Sequence, residues 1–77
     1  MKRTEPRTVV MCQKPRGHET VTALLDAETR APLWACVGVG DHGSALGLTA
    51  AVNVCLDREW VLVTRRGRKV DLQRFAA

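Results

Sequence analysis

The chain has 77 residues, 45% of them hydrophobic, which sets it apart from disordered sequences and leaves room for one domain around one core, residues 1–77. So small a core leaves little volume for a deep substrate pocket, and no apolar run approaches the ~20 residues of a membrane helix, so a cytoplasmic, non-membrane protein is expected. The formal net charge of +4 hides a division: residues 1–18 and 58–77 are strongly basic, whereas the stretch between them carries five acids and the single cation Arg30. Basic ends of this kind suit an acidic or polyanionic partner.

Residues 1–6 read as a frayed start ending at Pro6. Thr8 to Gln13 is β-branched and apolar, which predicts a first strand, and Lys14-Pro15-Arg16-Gly17-His18 has the composition of a turn. From Glu19 to Asp26 the chain alternates, with Val21, Ala23 and Leu25 on one face and Thr20 and Thr22 on the other. A polar connection follows through Pro32. A third strand then places Leu33, Ala35, Val37 and Val39 on one face.

At Gly40-Asp41-His42-Gly43-Ser44 the period changes from 2 to 3.6, and the oxygens of Asp41 and Ser44 are candidate caps. The helix is expected over residues 44–58, with Ala45, Leu48, Val52, Cys55 and Leu56 as its core stripe and Thr49, Asn53 and Asp57 on its wet face. Leu46, Ala50 and Val54 flank that wet face and are candidates for self-association, giving a monomer or a homodimer. A fourth strand is expected from Trp60 to Arg65, a turn over residues 65–69, and a short fifth strand at 70–72. The order β-β-β-α-β-(β) implies an α+β domain, one helix on one face of an antiparallel sheet of four to five strands.

Chemistry-bearing motifs are sparse. His18 and His42 lie in glycine-containing turns, and Ser44 is near His42, but no nucleophile elbow, paired-carboxylate motif or HExxH accompanies them. No enzyme, cofactor or metal site is therefore expected. Cys12, Cys36 and Cys55 are too widely spaced for a CxxC motif, and their apolar neighbours Val10, Val37, Val52 and Leu56 mark them as buried, reduced thiols. Gly38, Gly40 and Gly43 match GxGxxG by letter, yet the parallel βαβ context of a dinucleotide site is lacking, and a sharp strand-to-helix turn needs glycine anyway. The most pointed feature is Arg65-Arg66-Gly67-Arg68-Lys69, which with Lys14 and Arg16 forms the candidate partner-binding set. With no Tyr, and with Trp34, Trp60 and Phe75 scattered, the chain lacks the stacking pattern of an RNA-binding sheet.

The small size, the Thr8-Val9-Val10 strand before a Pro15-Arg16 turn, the Gly40-Asp41-His42-Gly43-Ser44-Ala45 helix entry and the alanine-rich helix leading into Trp60-Val61-Leu62-Val63 together resemble small phage-encoded anti-CRISPR proteins, inhibitors of type I systems. That resemblance implies a non-catalytic protein in the host bacterial cytoplasm that binds a CRISPR-Cas effector of the Cascade type and blocks target DNA binding or nuclease recruitment. The basic ends depart from acidic DNA-mimicking inhibitors and favour docking on an acidic subunit surface or on bound nucleic acid. A small basic nucleic-acid-binding regulator is the alternative.

Overall fold

The computed structural model describes residues 7–75, so the frayed start expected at 1–6 lies outside the described residues. Three strands, β1 (Thr8–Arg16), β2 (Glu19–Asp26) and β3 (Pro32–Val39), form an antiparallel meander. Helix α1 (Gly43–Arg58) follows, then β4 (Val61–Val63) and a short 3-10 turn at Leu72–Arg74. The order across the sheet is β3-β2-β1-β4. The domain is thus α+β, with one helix on a four-stranded sheet.

The fourth strand departs from an all-antiparallel pattern, because it pairs parallel to β1, Thr8 opposite Val61 and Val10 opposite Val63. The reason is connectivity: α1 carries the chain from the β3 edge over the sheet to the opposite edge, and a crossover delivers a strand parallel to the one it left. The expected fifth strand is reduced to an isolated bridge between Val63 and Lys69.

The first hairpin is tighter than its composition suggests. Lys14, Pro15 and Arg16 belong to β1, and only Gly17 and His18 make the turn. Gly17 alone of the two takes positive φ (62°), the arrangement of a type II′ turn, whose twist matches the strands it joins.

Register assigns the faces. Val9, Met11 and Gln13 on β1 lie in line with Leu24 and Thr22 on β2 and with Trp34 and Cys36 on β3, and this is the face under the helix. Val9, Leu24, Ala51, Cys55 and Leu62 form the core, supported by Met11, Leu33, Trp34, Val54, Trp60, Val70 and Leu72. Leu33 joins them because a register shift between Leu24 and Leu25 takes it out of phase with Ala35, Val37 and Val39.

The helix buries Gly43, Gly47, Ala51, Val52 and Cys55, whereas Ala45 of the expected stripe is exposed and Leu48 and Leu56 are half-buried. Small residues win because the helix lies very close to the sheet. A Cβ on Gly47 would strike the Thr22 hydroxyl and stand 2.8 Å from Thr22 Cβ, and one on Gly38 would stand 2.8 Å from Gly43 Cα. Two members of the GxGxxG match, Gly38 and Gly43, thus serve backbone-to-backbone packing, and Gly40 turns the chain at φ 87°. Polar bonding accompanies the contact: Gln13 Nε2 donates to Thr22 Oγ1 at 2.9 Å and to the Ser44 carbonyl at 2.8 Å. The helix is capped at its N-terminus by His42 without a side-chain bond, so neither Asp41 nor Ser44 fills the expected role.

Candidate functional site

The sheet has a second face, and no helix or strand among the described residues covers it. The same register that points Thr22 and Leu24 at the helix points the apolar members of each alternation away from it. From β2 these are Val21, Ala23 and Leu25, and from β3 Ala35, Val37 and Val39. Cys12 of β1 sits opposite Ala23. Val37, expected in the core, is 55% exposed and Val39 66% exposed. What sets Thr22 under the helix is its contact with Gly47 and the Gln13 amide that bonds both its hydroxyl and the Ser44 carbonyl of the helix. A contiguous aliphatic surface on an exposed sheet face is what an interaction site provides.

Charge is distributed around it with one sign dominant. Lys14 lies opposite Val21 and Arg16 opposite Glu19, so both cations project from this face at the hairpin end. At the other side Arg30 and Arg65 line a groove of about 320 Å³ together with Val10, Cys12 and Leu25. Arg30 is positioned by a tight β2–β3 connection in which its N–H donates to the Asp26 carbonyl at 2.9 Å and its own φ is 66°. Asp26 organises that connection further: its Oδ1 accepts the N–H groups of Glu28 at 2.8 Å and Thr29 at 3.0 Å, and its Oδ2 pairs with Arg7 at 3.1 Å. These backbone bonds, with Arg7 behind them, hold its carboxyl below the ordinary aspartate pKa of 3.8.

Arg65 stands at the start of an ordered loop. Thr64 accepts at its Oγ1 from the N–H groups of Arg66 at 3.3 Å and Arg68 at 3.2 Å, and its own N–H donates to the Arg68 carbonyl at 2.8 Å. Gly67 takes φ 84° to close the loop. Of the sequence-identified cations, Lys14, Arg16 and Arg65 are brought to the open face, while Arg66, Arg68 and Lys69 are exposed on the loop and do not line that groove. Arg30 was missed, since it is an isolated cation in an acidic stretch and only the β2–β3 turn aligns it with Arg65.

No known family, curated protein or solved structure matches the chain.

Other candidates fare differently. Leu46 is 58% exposed, but Ala50 and Val54 are half-buried and Val54 packs against the core, so these three do not form one exposed strip. Cys55 is buried, which raises its thiol pKa, while Cys12 and Cys36 are half-buried, and all three are free thiols. His18 and His42 are both exposed, and among the described residues no cluster of three or more His, Cys, Asp or Glu could hold a metal ion. Among the described residues no helix is long and apolar enough to cross a membrane.

Proposed function

We propose that this chain is a non-catalytic docking protein that seats its open sheet face on an acidic macromolecular surface. One observation carries this: the aliphatic residues of β2 and β3 face outward beside a partial rim of Lys14, Arg16, Arg30 and Arg65, with Glu19 the one acid that the register sets among them. Aliphatic burial would supply affinity, and the cations would steer approach and reject basic surfaces. A second copy is a poor occupant, because its rim would bring the same cations together. Nucleic acid is served less well too, because the face presents no aromatic ring for base stacking: Trp34 and Trp60 pack on the core. The resemblance to anti-CRISPR proteins nominates the partner to test first, an acidic subunit of a type I Cascade-type effector in the bacterial cytoplasm.

The test is inhibition of a type I system in a plaque assay, alongside pull-down with purified effector. Val37→Glu combined with Val39→Glu is expected to keep the melting temperature and lose binding and inhibition; Lys14→Glu with Arg16→Glu should do the same, most visibly at low salt. Folded variants that bind and inhibit as the parent does would refute the assignment. A salt-sensitive gel shift by the isolated protein would favour nucleic acid instead.

A further inference from the structure

One side of the β1 backbone is filled by β2 along its length, and the other is filled only in part. Ala27 donates its N–H to the Thr8 carbonyl at 3.0 Å, so the even-numbered residues of β1 direct their backbone groups to β2. Val61 donates to the Arg7 carbonyl at 2.7 Å, so the odd-numbered ones direct theirs to the β4 side. But β4 pairs only with Thr8–Val10, and its chain leaves at Thr64 into the self-bonded loop described above. Beyond that point the Met11 carbonyl and both backbone groups of Gln13 face outward with no strand of the described residues beside them, until Pro15, which has no N–H, ends the edge.

Grooves flank this edge on both faces of the sheet. On the helix side a cavity of about 240 Å³ is lined by Met11, Leu48, Leu62, Val70 and Phe75. On the open side lies the groove of about 320 Å³ with Arg30 and Arg65. Met11 and Arg65 line both. Successive side chains of a strand point to opposite faces, so a strand laid here would feed alternate side chains into an apolar groove and a cationic one.

We infer that β1 binds an extended segment of a partner protein as an added strand in line with β4, and that the segment alternates apolar with acidic residues. The edge supplies the backbone bonds, Leu48 and Phe75 select apolar side chains, and Arg30 and Arg65 select carboxylates. This site goes beyond the open-face docking proposed above, since Val37 and Val39 lie two strands away on β3.

The test uses fluorescence anisotropy of the full chain with a labelled, end-capped peptide of alternating Glu and Leu. Two controls share its composition: one has its leucines and glutamates in separate blocks, the other has N-methylated backbone amides on the edge-facing residues. The alternating peptide is expected to bind saturably, and both controls about tenfold or more weaker. Arg65→Glu should weaken binding by a similar factor; its side chain is exposed and its loop is held by backbone and Thr64 bonds, so folding is kept. Val37→Glu should leave peptide binding unchanged, which separates this site from the open face. Equal binding of the three peptides would reduce the effect to adsorption of acidic chains and overturn the inference. So would absence of binding, or a dimer of the free protein at this edge that the peptide does not displace.

Discussion

Replacing Gly47 with alanine puts two rules in opposition. In an exposed helix interior Ala is favoured over Gly by about 0.8–1 kcal/mol, so helix propensity alone predicts a stabilised protein. Here the added methyl would meet the Thr22 hydroxyl and stand 2.8 Å from Thr22 Cβ, whereas ordinary carbon contacts lie near ~3.5–4.0 Å. Helix and sheet must separate by about 1 Å, because Thr22 is fully buried and its hydroxyl is already held by Gln13. Overpacking of this kind costs roughly 1–3 kcal/mol, and losing the Gln13–Thr22 bond adds about 1 kcal/mol. Taking the upper end, since the obstacle sits at a β-carbon rather than at a flexible tip, and subtracting the propensity gain leaves a net loss of about 2–3 kcal/mol. For a domain of this size that lowers Tm by roughly 8–24 °C in thermal unfolding followed by circular dichroism. Thr22→Ala in the same chain should recover part of the loss, so the double variant should be more stable than the sum of the single effects. An unchanged or raised Tm for Gly47→Ala would refute the close helix–sheet contact on which the face assignment depends.

Leu24→Ala should destabilise by about 2–5 kcal/mol in denaturant titration, since Leu24 is fully buried at the sheet centre. Leu48→Ala, half-buried at a groove, should cost clearly less; equal losses would mean that Leu48 is core. In native thiol labelling Cys55 should react last and only on unfolding, with Cys12 and Cys36 ahead of it; prompt labelling of all three would contradict the burial of Cys55. Because the carboxyl of folded Asp26 has a lowered pKa, the unfolded chain takes up this proton first. Its contribution is therefore present above pH 3.8 and declines as pH falls from there through the folded value. Asp26→Asn should flatten that part of the acid-unfolding curve, and an unaltered slope would show the turn to be indifferent to the charge.

The strands, the helix and the α+β class were legible because alternation and helical period are written in the order of residues. Alternation divides a strand into two sets but does not say which set meets the helix. At β2 the apolar set invites the wrong choice, and the deciding facts, Gly47 above Thr22 and Gln13 beside it, are contacts between distant segments. The cationic surface was legible in part for the same reason. Lys14, Arg16 and Arg65 announce themselves by clustering, but Arg30 acquires its place only when the meander folds. Lys14 and Arg16 were assigned to a turn because proline and glycine flank them, yet a two-residue loop sufficed and left them in the strand, where register fixes their direction.

The pairing of the first strand with the last also bears on when this protein becomes a protein. The meander and the helix can assemble from neighbouring segments as the chain emerges, but Leu62, one of the buried core residues, and the parallel partner of β1 arrive only after all of them have been made. Joining Thr8 to Val61 closes most of the chain into a single loop, an entropic step that non-local pairing must take late. Until then the incomplete core and the whole outer edge of β1 are open beside the aliphatic sheet face, which stays open in the finished fold. A chain stalled or cut before residue 61 would therefore add an unfinished core and a bare strand edge to the open face and be cleared or aggregate, so β4 acts as the lock on the core that precedes it.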